Sequence, residues 1–161
     1  MSATVLLVRH ARAGQREKWD GDDSLRPLDP VGTVQARLLV EILAPFGPGE
    51  VLSSPALRCC QTVQPLAEAL GMVVVSDDRL REEHTDDAFG LVAALGRNEG
   101  GVAVLCTHGD VIPAVLGWIA AEHRVGLPPV VRSAKGGTWV LRAENGRYCD
   151  ASYIEAPAVA S

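Results

Sequence analysis

The residues of this 161-residue chain best suited to chemistry stand where apolar runs stop. Arg9-His10 close the run Val5-Leu6-Leu7-Val8, and Thr107-His108 close Val102-Ala103-Val104-Leu105-Cys106. Ser53 to Arg58 follow the short run Glu50-Val51-Leu52, while Glu82 and Glu83 stand in a charged stretch further on. Two imidazoles, two guanidiniums and a carboxyl group suit phosphoryl transfer through histidine. A neutral imidazole nitrogen attacks phosphorus while fixed cations offset the charge on the equatorial oxygens. A carboxylic acid protonates the leaving oxygen and, once ionised, activates water. Taken alone, an Arg-His pair reads as nothing more than a polar strand end. Convergence is what would make a site.

The elements must supply that convergence. Val5–Val8 and Val102–Cys106 lack polar alternation, the pattern of strands covered on both faces in a parallel sheet. In such sheets the ligand crevice lies beyond the carboxyl ends of the strands. Asp29-Pro30 gives a capped helix start, with Val31, Val34, Leu38 and Ile42 as its buried stripe. Ser54-Pro55 repeats the start signal for a helix with the stripe Ala56, Cys59, Val63, Leu66 and Leu70, kinked at Pro65. Its first amides would help hold an anion.

Met72 to Val75 read as a third strand, and Thr85 as the cap of a helix ending near Arg97. A helix from about Asp110 to Glu122 presents Val111, Val115 and Ile119 on one face. Gln15 to Leu28 and Gly126 to Gly137 read as loops. Asn145-Gly146 between Thr138–Glu144 and Arg147–Tyr153 is a strong hairpin signal. The alternation predicts an α/β fold, a three-layer α/β/α sandwich. Its central sheet is mainly parallel, with a C-terminal antiparallel hairpin at one edge. One domain over residues 1–161 is expected, with 155–161 a frayed tail.

Composition narrows the class. A net charge of −5 argues against nucleic acid or a membrane surface as partner, since both favour a basic field. No run reaches the roughly 20 apolar residues of a membrane span. Cys59, Cys60, Cys106 and Cys149 have neither zinc spacing nor disulfide-scaffold density, so reduced thiols and a cytoplasmic location are expected. Phosphate-loop and dinucleotide-loop glycine patterns are absent. His10, His84, His108 and His123 lack metal-ligand spacing, with His84 and His123 read as surface residues. No metal or cofactor is called for.

Leu7-Val8-Arg9-His10, Ser53-Ser54-Pro55-Ala56-Leu57-Arg58-Cys59-Cys60-Gln61-Thr62, Leu80-Arg81-Glu82 and Thr107-His108-Gly109 resemble the signature segments of the histidine phosphatase superfamily, also called phosphoglycerate-mutase-like. Arg26-Pro27-Leu28-Asp29 with Gly32 and Gln35-Ala36 is similar as well, so the resemblance runs from Val5 to about Ile112. It implies that His10 becomes phosphohistidine and that Arg9, Arg58 and His108 complete the phosphate pocket. Glu82 is similar to the family's proton donor, with Glu83 as the competing register.

About 26 residues separate Glu82 from His108, room for one helix and one strand. Mutases of the superfamily carry lid segments there, so the chain resembles the short SixA-type phosphohistidine phosphatases. Gly21–Ser24, Arg26–Asp29, Val111–Pro113 and Lys135–Leu141 also resemble the phosphatase domain fused behind a Nudix domain in some actinobacterial nucleotide hydrolases.

The implied activity is metal-independent hydrolysis of a phosphomonoester, a nucleotide or a protein phosphohistidine. A mutase is the alternative enzyme, and a non-catalytic phosphate-binding module the alternative outside catalysis. Ala11 replaces a glycine common in the family, and Arg12 stands where an acidic residue is frequent. Arg12 and Lys135 are candidate residues of the substrate rim. Trp19 reads as a loop anchor or a stacking residue.

Overall fold

The computed structural model describes residues 2–160; Met1 and Ser161, at the ends of the expected domain and tail, lie outside the described residues. The chain runs β1 (Ser2–Arg9), α1 (Pro30–Leu43), β2 (Glu50–Ser53), α2 (Leu57–Ala69), β3 (Val75–Ser76), α3 (Asp87–Gly96), β4 (Val102–Thr107), α4 (Val111–His123), β5 (Thr138–Glu144) and β6 (Arg147–Ile154). The six strands lie in the order β3-β2-β4-β1-β5-β6. β3, β2, β4 and β1 pair in parallel, whereas β5 runs antiparallel to β1 and β6 antiparallel to β5. Asn145 and Gly146 both take positive φ, 52° and 80°, as the tight turn between those last strands demands.

Helices cover both faces of the sheet. Leu6, Val8, Val104, Cys106 and Val140 pack with Leu39, Leu43, Cys59, Val63 and Leu66 of α1 and α2. Val5, Leu7, Leu105, Trp139 and Leu141 pack with Leu91 and Val92 of α3 and Val111, Ile112, Val115, Leu116 and Ile119 of α4. Strand β1 is therefore enclosed on both sides, which is why its apolar run never alternates.

Four local expectations need correction. The buried face of α1 is Gly32, Gln35, Ala36, Leu39 and Leu43, one position round from the expected stripe. A Cβ on Gly32 would lie 1.8 Å from the Arg12 carbonyl oxygen, so that bare glycine seats the helix on the β1 loop and sets its rotation. Helix α2 begins at Leu57 and not at Ser54, whose hydroxyl is engaged elsewhere, and it continues through Pro65. Strand β3 contracts to two residues at the sheet edge, with Val73 and Val75 exposed. The segment Gln15–Leu28 contains two short 3₁₀ turns, Arg16–Lys18 and Asp23–Leu25. Residues 155–160 carry no regular element, although Glu155 pairs with Arg132.

Candidate active site

Register brings the predicted residues together. Arg9 pairs with Thr107 across β1 and β4, and Ser53 pairs with Cys106 across β2 and β4. The next residues extend the ladder: His10 N–H donates to the Thr107 carbonyl at 3.0 Å, and Ser54 N–H to the Cys106 carbonyl at 2.9 Å. The His10 and His108 rings lie edge to face with centroids 5.6 Å apart. Arg58 enters from the first turn of α2 and is 1% exposed. Glu82 arrives from the loop after the turn Asp78–Leu80, which the Thr107 hydroxyl ties down by donating to the Leu80 carbonyl at 2.7 Å.

His10 donates from Nδ1 to the Ala11 carbonyl at 2.8 Å, because a carbonyl oxygen can only accept. The Nε2 lone pair is then the free one. Burial, with smaller contributions from Arg58, His108 and Arg9, pulls the His10 pKa down to about 3 against an opposing contribution from the Ala11 bond. The ring is neutral at ordinary pH. Arg9 is held by a 2.6 Å bond from Nη1 to the Ser133 carbonyl, and Gly109 lies flat against it. Burial lowers its pKa from the usual value, yet a guanidinium remains charged.

Arg58 is the centre of an ion-pair cluster. Its Nη2 lies 3.2 Å from Glu82 Oε2 and 3.2 Å from Asp23 Oδ2, and Nη1 donates to the Asp23 carbonyl at 2.9 Å. Arg58 Nη2 also approaches His108 Nδ1 at 3.5 Å, while His108 Nε2 meets the Ser54 hydroxyl at 2.9 Å. Arg16 reaches the opposite side of Glu82, with Nη2 2.8 Å from Oε1. Glu83 forms no ion pair with Arg58 or Arg16 among the described residues, although it lines the smaller cleft. Its backbone is left-handed at φ 69°, and its N–H is fixed by Asp110 Oδ2 at 2.8 Å.

Neighbouring motif residues act as braces. Thr62 Oγ1 accepts from Ala11 N–H at 2.9 Å and Gln61 Oε1 from Leu28 N–H at 2.9 Å. Gln35 accepts from Arg12 N–H at 3.0 Å and donates to the Lys135 carbonyl at 3.4 Å, joining the two loops that flank His10. Arg26 is buried between Asp23 and the Gly14 carbonyl.

The crevice has two parts. A cleft of about 1050 Å³ is lined by Arg9, His10, Arg12, Arg16 and Lys135, among others. A smaller one of about 580 Å³ is lined by Ser54, Arg58 and His108. Arg16 and Glu82 line both. Both expected rim residues, Arg12 and Lys135, therefore face the larger cleft, with Arg12 tied to Asp29 at 2.8 Å. Trp19 is a loop anchor whose indole N–H donates to the Asp22 carbonyl at 2.9 Å. His84 is exposed beside Asp87, whereas His123 is half-buried, packed between Trp118 and Tyr148 with Nδ1 accepting Tyr148 N–H at 2.9 Å. Asp23 had no sequence signal beyond its place in Gly21–Ser24, since two of its three cationic partners, Arg16 and Arg58, lie on other elements.

The model of the histidine phosphatase superfamily (branch 1) matches residues 5–98, a span holding Arg9, His10, Arg58 and Glu82. The chain belongs to the histidine phosphatase superfamily. An 8-oxo-(d)GTP phosphatase of Mycolicibacterium smegmatis is 38% identical over 159 residues, covering 96% of this chain and 48% of the relative. The chain thus spans about half the length of the curated relatives it matches. Among solved structures, a candidate SixA phosphohistidine phosphatase of Agrobacterium tumefaciens superposes with a TM-score of 0.72 at 26% identity, covering 98% of this chain and 99% of that one. A mycobacterial glucosyl-3-phosphoglycerate phosphatase shares the superfamily fold at TM-score 0.74 and 18% identity, over 95% of this chain and 97% of that one. No helix among the described residues is long and apolar enough to cross a membrane.

Proposed function

We propose that this chain is a phosphohydrolase working through a phosphohistidine at His10 Nε2. The observation that carries the reading is the 2.8 Å bond from His10 Nδ1 to the Ala11 carbonyl, which leaves a neutral ring with Nε2 free beside three cationic or polar phosphate ligands. Nε2 attacks phosphorus, the bond to the leaving oxygen breaks, and Glu82, in its protonated form, gives that oxygen a proton. Water then attacks the phosphohistidine, its proton returns to Glu82, and the N–P bond breaks to release phosphate. Arg9, Arg58 and His108 offset the equatorial oxygens throughout. None of these steps calls for a metal.

The substrate is a phosphomonoester, a nucleotide or a protein phosphohistidine, the last carrying its phosphoryl group on nitrogen. Relatives named for 8-oxo-(d)GTP and for phosphohistidine support the last two in turn. Between Glu82 and His108 stand α3 and β4 with no inserted lid, which favours hydrolysis over a mutase. The test is phosphate release from p-nitrophenyl phosphate at mildly acid pH with EDTA present, for wild type and His10→Ala. Activity that survives EDTA, disappears in the variant and leaves an acid-labile phosphoryl group on quenched wild type is the expected result. Activity retained in His10→Ala would refute the nucleophile.

A further inference from the structure

Arg16 differs from the other arginines of the crevice in being able to leave its partners without stranding them. It sits on the turn Arg16–Lys18, which buries no residue, and its side chain is 55% exposed. It pairs with Glu82 Oε1 at 2.8 Å and approaches Asp23 Oδ1 at 3.5 Å. Each carboxylate has a second cation: Glu82 keeps Arg58, and Asp23 keeps Arg26 and Arg58. Arg26 and Arg58 are buried and fixed, whereas Arg12 is the salt-bridge partner of Asp29. Departure of Arg16 therefore leaves no unpaired carboxylate, and a charge removed from a partly buried partner is otherwise costly.

The larger cleft supplies a reason to depart. It is lined by six cationic side chains (Arg9, Arg12, Arg16, Lys18, Arg26 and Lys135) against four acidic ones, in a chain of net charge −5. Burial and then the fields of Arg9, Arg26 and Arg12 lower the Lys135 pKa, the mark of cations crowded without full compensation. One phosphoryl group on Arg9 and Arg58 leaves the outer cations unmatched. The Arg16–Glu82 pair also stands where the His10 cleft meets the His108 cleft, since both residues line each of them.

Building on the phosphohydrolase reading, we propose that Arg16 is the specificity-determining residue of the site. It exchanges Glu82 for a second anionic group carried by the substrate next to the scissile phosphoryl, and so selects compounds with a further phosphoryl or carboxylate group over simple aryl phosphates. The exchange trades one charge-assisted contact for another.

The test is binding, which does not require turnover. Orthophosphate and pyrophosphate affinities are measured by calorimetry for His10→Ala, then with Arg16→Gln or Arg16→Lys added. A preference for pyrophosphate of about tenfold or more is expected in His10→Ala, erased by Arg16→Gln and partly kept by Arg16→Lys. A preference that survives Arg16→Gln would overturn the role of Arg16. Equal affinity for the two anions, or binding of neither, would overturn the second-anion site. Turnover of p-nitrophenyl phosphate by the wild type then reports separately on the phosphohydrolase reading.

Discussion

The Ser54 hydroxyl lies 2.9 Å from His108 Nε2, and both groups are buried. Arg58 Nη2, which can only donate, stands 3.5 Å from the other ring nitrogen. Ser54 therefore fixes the rotation of His108 and leaves Nδ1 on the side of Arg58. Removing the hydroxyl by Ser54→Ala takes away a net contribution of about 1 kcal/mol and frees the ring to turn. The expected outcome is a fall in kcat/KM of about tenfold, with Ser54→Thr retaining most activity. A Ser54→Ala enzyme with unchanged kcat/KM would show that the contacts of His108 with Arg58 and Cys59 hold the ring without the Ser54 hydroxyl.

His10 makes stability depend on pH in a defined direction. Its folded pKa is depressed to about 3, chiefly by burial, from an ordinary value of 6.5. Below the ordinary value the unfolded chain takes up a proton that the folded chain refuses, so stability falls with pH. The contribution is fully present above about pH 6.5, declines as pH drops, and levels off below about 3. Between pH 7.5 and 5 the loss is about 2 kcal/mol. Denaturant unfolding of wild type and His10→Gln at both pH values isolates it, because every other titratable group is present in both proteins. The variant should lose less stability on acidification; equal losses would mean that His10 ionises freely in the folded state.

Strands β1 and β4 and the final hairpin were legible because their signal is local: uninterrupted apolar runs and the Asn145-Gly146 turn need no distant partner to be read. The face of α1 was not, because Gly32 meets a carbonyl twenty positions away and turns the helix by one residue. The order of Arg9, His10, Arg58 and His108 along the chain was readable as a motif set, and parallel register explains why they meet. Asp23 and the pairing of Arg16 with Glu82 had no local signature, since 3₁₀ turns within an irregular segment carry these side chains to α2 and to a loop 66 positions on. Between Glu82 and Glu83, the left-handed backbone at Glu83 separates the two, and no residue type announces it.

Two glycines should fail in different ways. A Cβ on Gly32 would stand 1.8 Å from the Arg12 carbonyl oxygen, backbone against backbone, so Gly32→Ala must displace α1 from the β1 loop. A loss of stability of about 3 kcal/mol is expected, visible as a lowered Tm. A Cβ on Gly109 would stand 2.7 Å from Arg9 Cζ, where the guanidinium can give way although its bond to Ser133 resists. Gly109→Ala should keep its Tm within a few degrees and lose orthophosphate affinity by about tenfold. If the two variants showed the same pattern, the contact of Gly109 with Arg9 would be a matter of folding and not of the site.

The two neighbouring glutamates give the sharpest division of labour. Glu82 touches Arg58 and Arg16, whereas Glu83 forms no ion pair with either among the described residues, its backbone pinned by Asp110. A proton donor matters most when the leaving oxygen is a poor one, so the effect of its loss must grow with leaving-group basicity. For an alkyl phosphate, Glu82→Gln should lower kcat/KM by about 100-fold to 10,000-fold, the range of general acid catalysis. For p-nitrophenyl phosphate, whose phenolate departs without help, the loss should be far smaller. Glu83→Gln should stay close to wild type on both. The measurement is kcat/KM across a series of phosphomonoesters graded by leaving-group pKa, because kcat/KM reports transfer to His10 and not the hydrolysis of the shared phosphohistidine. A steeper slope in Glu82→Gln alone identifies the acid; a uniform drop would reduce Glu82 to a partner that orients Arg58, and a steep slope in Glu83→Gln would move the role one residue along.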